Sequence, residues 1–266
     1  AAEPERDVMS AITVRDVRYC AGRTPILHGV DMDVTPGSFT AVIGPNGSGK
    51  STLVRCLAGL VRFSGHIEVD GHDVARTARK EMARSVAVVA QQPEAVEAHS
   101  VREVIALGRT PYLGALSGAT AHDHHVVRDA ATRTGVEHLL ERTFSTCSGG
   151  ERQRTHIARA LAQECEVLLL DEPTNHLDVQ QQFSILELVD AADITTLAVL
   201  HDLNLAAQFA DHIVVLDSGR IAAAGPPREV LTPDIIEDVF GMRPQVICDD
   251  HRVNVHFHRQ ASTRRR

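Results

Sequence analysis

The densest chemistry in the chain lies in Gly44-Pro45-Asn46-Gly47-Ser48-Gly49-Lys50-Ser51, followed by Thr52. Glycines at this spacing let successive backbone N–H groups turn inward with no Cβ in the way. Such a run ahead of a helix N-terminus cradles anionic phosphates. Lys50 then reaches the β- and γ-phosphates of a nucleotide, and the Ser51 hydroxyl is a ligand for Mg2+. A glycine-rich turn can match this pattern by chance. Here the loop sits between an apolar strand, 39–43, and a helical stretch, 51–60, and the phosphate-binding reading requires both contexts. The expectation is an MgATP site.

Two further stretches extend that chemistry. Val-Leu-Leu-Leu at 167–170 runs into Asp171-Glu172-Pro173, so a buried strand ends in two acids and a proline stops it. Asp171 is positioned to hold Mg2+ through water. Glu172 can polarise a water that attacks the γ-phosphate, the role of a general base. Between loop and acids stands Cys147-Ser148-Gly149-Gly150-Glu151-Arg152-Gln153. On its own, Ser148-x-x-Glu151 is a capping box opening the helix 151–163. A helix N-terminus with a serine and two glycines also presents N–H groups to a phosphate.

The elements that must position these groups follow from hydrophobic patterning. Residues 12–19 alternate apolar and polar, as a half-buried strand does, and 26–34 reads as a second strand. Ser64-Gly65 and Asp70-Gly71 bracket a short strand, 66–69, as in an antiparallel hairpin. The continuous apolar runs 86–90, 167–170 and 196–200 fit strands buried on both faces, and 213–217 reads as another strand. Helices are expected at 179–191 and 203–209 between and after them. Residues 93–142 change character, with helical stretches 101–107 and 126–134, and read as a helical insertion into an α/β core. Thr232-Pro233 starts a further helix that Gly241 stops. Val253, Val255 and Phe257 alternate with polar residues in a closing hairpin, and Arg264–Arg266 is a solvated basic tail. This order predicts nucleotide binding at the carboxyl ends of parallel strands.

Composition narrows the class. At 266 residues, 43% of them hydrophobic, the chain can bury a large core, and with aromatics at 3% and no Trp that core is aliphatic. A net charge of −8 excludes the basic field of a general nucleic-acid binder. The five cysteines are scattered, with no CxxC pair, so reduced thiols are expected rather than zinc or disulfides. Neither His122-x-His124-His125 nor His251 with His256-x-His258 has metal-ligand spacing to an acid or cysteine. No apolar run reaches the ~18 residues of a membrane span. Residues 1–7 are acidic and lack the apolar stretch of a signal peptide, and Met9 is a candidate start. The expectation is a soluble protein whose membrane role comes through a partner.

With these residues in hand, the chain resembles the ATP-binding cassette (ABC) ATPases over about 11–243. Gly44–Ser51 resembles Walker A, 167–171 Walker B and 148–153 the signature motif, with Cys147 where the family often has Leu. Gln91 resembles the Q-loop glutamine, Asn175-His176-Leu177-Asp178 the D-loop and His201 the switch histidine. The resemblance implies a P-loop NTPase fold: a RecA-like parallel-sheet core, a small antiparallel β subdomain and a helical subdomain at about 93–155, with 244–266 a C-terminal hairpin and tail. It implies ATP held by residues 44–52, Gln91, Asp171 and a partner copy's Ser148, Gly149, Gly150 and Glu151. Ser51, Gln91 and Asp171 are the implied metal residues; Glu172, His201 and Lys50 are the implied catalytic ones. Tyr19 is the one candidate for stacking on adenine, and it reads equally as a core strand residue.

One cassette without a membrane span implies a homodimer on the cytoplasmic face of the membrane, working with a permease subunit and indirectly with a substrate-binding protein. Leu107-Gly108-Arg109-Thr110-Pro111, Gly150-Glu151-Arg152-Gln153-Arg154, Leu200-His201-Asp202-Leu203-Asn204 and Val239-Phe240-Gly241 resemble importers of iron–siderophore, haem and cobalamin, closest to the ferric-siderophore type. The Gln91 loop and 93–104 are the implied permease-docking surface. The rival expectation is a soluble non-transport ABC ATPase, such as an iron–sulfur cluster assembly factor, which shares every ATP motif.

Overall fold

The computed structural model describes residues 10–90, 96–114, 118–249 and 252–258. Gln91, His251 and the basic tail therefore lie outside the described residues. Twelve strands and nine α-helices, besides three short 3-10 turns, follow one another among those described. They are β1 (Ile12–Ala21), β2 (Thr24–Val34), β3 (Phe39–Ile43), α1 (Lys50–Leu57), β4 (Ser64–Val69), β5 (His72–Asp73), α2 (Arg79–Ser85), β6 (Val86–Val89), α3 (Val101–Ala106), α4 (Ala121–Arg133), α5 (Gly149–Leu161), β7 (Val167–Asp171), α6 (Val179–Asp190), β8 (Thr195–Val199), α7 (Leu203–Phe209), β9 (His212–Asp217), β10 (Arg220–Gly225), α8 (Pro227–Val230), α9 (Pro233–Phe240), β11 (Gln245–Cys248) and β12 (Val253–His256).

The apolar runs assemble one six-stranded sheet in the order β10-β9-β3-β8-β7-β6. Pairings among β9, β3, β8, β7 and β6 are parallel, and β10 adds antiparallel at the edge. A second sheet, β2-β1-β4-β5, is antiparallel. The runs are continuous because the sheet is covered on both faces. Val167 and Leu169 of β7 join α1 and the antiparallel sheet in one core, while Leu168 and Leu170 join α5, α6 and the insertion helices in the other. Burying each such Leu contributes about 1.5–3 kcal/mol, so the strand end that carries Asp171 is clamped between two cores.

Local chemistry sets the element ends. Helix α1 stops at Leu57 rather than at the predicted residue 60, because Ala58 caps it and Gly59 turns left-handed at φ +64°. Helix α4 starts earlier than the predicted 126, at a capping box between Thr120 and Asp123. Three elements, α2, α8 and β10, have no counterpart in the sequence reading, and α8 spans only four residues. Helix α2 is short and polar, and β10 is an edge strand rich in alanine, so neither carries a strong periodic signal.

In the insertion, α3 and α4 both pack on α5. The join to the core runs through Arg109, whose side chain is 3% exposed. Its Nε donates to Asp123 at 2.9 Å, and its Nη1 donates to the Ala162 carbonyl at 2.8 Å and to Glu164 at 2.6 Å. The guanidinium lies 4.0 Å from the Tyr112 ring centroid. His122 lies 3.8 Å from the same Glu164. The β11–β12 hairpin packs on α7, where Asn204 exchanges two hydrogen bonds with the Val255 backbone.

Candidate nucleotide-binding site

The phosphate loop leaves β3 at Gly44, whose φ is +150°. A Cβ there would sit 2.0 Å from the Leu216 carbonyl oxygen, so the approach of β9 requires glycine. At the far end Gly49, φ +104°, is the N-cap of α1. No side chain caps that helix and no acid lies in its first turn. Its N-terminal N–H groups and the positive end of its dipole are thus left for an anion. The Ser48 Oγ is buried and has no partner among the described residues, and a buried hydroxyl without one calls for a ligand or water. Ile26, Asn46, Gly47, Gly49, Lys50, Ser51, Thr52 and Glu172 line a cleft of about 240 Å³.

Lys50 is 5% exposed, and its Nζ donates to the carbonyls of Gly44 and Pro45, each at 2.8 Å. Burial pushes its ammonium down, against the pull of Glu172 and Asp171. The Ser51 hydroxyl donates to Asp171 Oδ1 at 2.8 Å, joining the loop to the end of β7. Burial pushes the Asp171 carboxyl up, and the Ser51 hydrogen bond opposes that. Glu172 follows at φ +55° with its side chain 11% exposed. Its Oε1 lies 2.6 Å from His201 Nε2, at the end of the adjacent strand β8. Its Oε2 accepts from Asn175 Nδ2. The structure therefore brings together Gly44, Gly49, Lys50, Ser51, Asp171, Glu172 and His201 at one sheet edge, as the P-loop order predicts.

The signature stretch lies apart from that cleft. Ser148 caps α5 by accepting from the Glu151 N–H at 3.3 Å, and Glu151 Oε2 accepts from the Ser148 N–H at 2.7 Å. The Ser148 N–H holds the Glu151 carboxyl below the usual range. Ser148 and Gly149 are exposed, and none of residues 148–153 lines the cleft. The amides of Gly149 and Gly150, in the first helical turn, have no protein acceptor among the described residues. Tyr19 is half-buried opposite Leu27 and packs against the core beneath the antiparallel sheet, with a register shift directly after it.

Sequence reasoning missed Ile26 in the cleft wall and the bond from Asn175 to Glu172. The signal for the second was the interval of three residues across Pro173, which closes a turn where the Asn175 N–H donates to the Glu172 carbonyl at 3.3 Å.

Residues 27–175 match the ABC transporter family. The chain is 40% identical over 233 residues to the ferric enterobactin transport ATP-binding protein FepC of Escherichia coli, covering 86% of each chain. It is 43% identical over 234 residues to the hemin import ATP-binding protein HmuV of Nocardia farcinica, covering 86% of this chain and 79% of that one. Its fold matches an inward-facing ABC transporter ascribed to the metal-chelate type, with TM-score 0.81 at 28% identity over 96% of this chain and 99% of that chain. Because the family match spans the loop and the acid pair that the fold sets side by side, the chain belongs to the ABC transporter family and is one of its ATP-hydrolysing subunits.

Proposed function

We propose that this subunit powers the import of an iron–siderophore complex, or of a haem- or cobalamin-type chelate, through a separate permease. Two copies close head to tail on two ATP molecules. The observation that carries this reading is the separation within one chain: the loop and acid pair form one cleft, while Ser148 and Gly149 stand exposed outside it. A second copy can supply what the first lacks. The cargo class rests on relatives that are ferric enterobactin and hemin transport proteins. Nothing in those relatives favours a non-transport ATPase.

In the closed dimer, the N–H groups of Gly47, Ser48 and Gly49 and the α1 N-terminus hold the phosphates, with Pro45 and Asn46 shaping the turn and Thr52 in the first helical turn. Lys50 turns from the carbonyls of Gly44 and Pro45 to the β- and γ-phosphates. The hydroxyl–carboxylate pair of Ser51 and Asp171, 2.8 Å apart, offers the hard oxygen donors that Mg2+ takes. Mg2+, when bound, neutralises and orients the phosphate oxygens. Gln91 is the third proposed metal residue. Glu172 takes a proton from the attacking water, and His201 orients the Glu172 carboxylate and the γ-phosphate. The partner's Ser148, Gly149, Gly150 and Glu151 complete the γ-phosphate cage.

No helix among the described residues is long and apolar enough to cross a membrane. The proposal is therefore peripheral attachment at the cytoplasmic face, through the Gln91 loop and 93–104. Residues 11–243 act as the ATPase domain with the helical subdomain at about 93–155, and 244–266 as an appendage. Co-expression with an iron–chelate permease, followed by affinity purification, tests this. The expected result is a complex of two copies with a multi-span membrane protein whose ATPase rate rises with a chelate-loaded binding protein. An ATPase that purifies without a membrane partner and ignores the binding protein contradicts the transport reading.

A further inference from the structure

The turn after β7 fixes the proposed base from two sides. Its Oε1 faces His201, and its Oε2 accepts from the side-chain amide of Asn175. The Asn175 backbone N–H closes the same turn on the Glu172 carbonyl. Residues on both sides of Asn175 are held in turn: Gln182 Nε2 of α6 donates to the Thr174 carbonyl at 3.3 Å and the Leu177 carbonyl at 3.2 Å. Glu172 and His176 both have left-handed backbones, at φ +55° and +62°. Residues of these types hold such conformations only when their surroundings enforce them.

We infer that Asn175 is a positioning residue for hydrolysis: its amide fixes the plane of the Glu172 carboxylate so that Glu172 meets the water lined up on the γ-phosphate. A neutral amide suits the task. It donates a hydrogen bond, but brings no positive charge that would weaken the base. A contact on each carboxylate oxygen resists rotation of the group, and a misplacement of about 1 Å at such a centre costs on the order of 100-fold. The inference rests on Glu172 being the base.

Two variants are measured beside wild type by phosphate release against ATP concentration. Asn175→Ala is expected to lose about tenfold or more in kcat, with KM for ATP within about twofold of wild type. Wild-type kcat in Asn175→Ala, or a rise in KM that matches the fall in kcat, overturns the inference. Glu172→Gln separates the two levels. If it turns over normally, the base assignment itself fails. If it is inactive while Asn175→Ala matches wild type, only the positioning role fails.

Discussion

Replacing Arg109 by Met should strip out the brace between the helical insertion and the core. The methionine keeps most of the apolar stem and removes every donor. Three acceptors lose a partner: Asp123, the Ala162 carbonyl and Glu164. They do not count equally. The Glu164 side chain is 46% exposed, so its pair contributes at most about 1 kcal/mol. The contact with Tyr112 adds about 0.5–2 kcal/mol. The large term is Asp123, whose side chain is 7% exposed and would remain charged without its counter-ion. Breaking a buried pair from one side costs about 3–5 kcal/mol, against a total of about 5–15 kcal/mol for a folded domain. The Asp123 carboxyl is held well below the ordinary 3.8, first by the Thr120 N–H and hydroxyl and then by Arg109. That contribution is complete above pH ~4 and is lost as pH falls through the folded value. Urea unfolding at pH 7 should thus show a loss of about 3–5 kcal/mol for Arg109→Met. The double variant Arg109→Met/Asp123→Asn should recover about half or more of it, because no charge is stranded. A single-variant loss under ~1 kcal/mol, or a double variant less stable than the single, would refute this reasoning.

Gly44→Ala places a Cβ 2.0 Å from the Leu216 carbonyl at φ +150°; backbone strain and overpacking of about 1–3 kcal/mol each should lower the unfolding midpoint and weaken ATP binding, and wild-type values in both assays would contradict it. Asp171→Asn should cut turnover by about 10–100-fold yet stabilise the nucleotide-free protein. The sign follows from burial: a raised carboxyl pKa means that stability falls as pH climbs from the ordinary 3.8 through the folded value. The gain in urea midpoint should therefore be present at pH 7 and vanish near pH 3, and a loss at pH 7 would refute it.

What the sequence made legible was chemistry written in contiguous residues. The loop from Gly44 to Ser51 carries its own backbone geometry, and the strand before Asp171 declares its burial by four apolar residues in a row. Position on the sheet followed from those two facts. Contacts between distant residues were not legible. Gly108-Arg109 entered the sequence reading as a resemblance to one group of importers. In the fold, Arg109 is a buried cation tied to α4 and to the end of α5, and a Cβ on Gly108 would meet the Arg159 carbonyl at 2.1 Å. Neither contact has a local signature. Short elements escaped for a related reason. The seven residues of α2 and the alanine-rich β10 are shaped by the strands they join or flank, and their own periodicity is weak. The bond from Asn175 to Glu172 needed the left-handed turn at Glu172, which no propensity for Glu predicts.

The central claim is that one chain holds half of each hydrolytic site. Light scattering on size-exclusion-purified Glu172→Gln, with and without MgATP, tests it directly. Without hydrolysis the closed state should persist, so the account predicts the mass of one 28.9 kDa chain in the absence of nucleotide and of two chains with MgATP. A single-chain mass under both conditions, with ATP demonstrably bound, would contradict it.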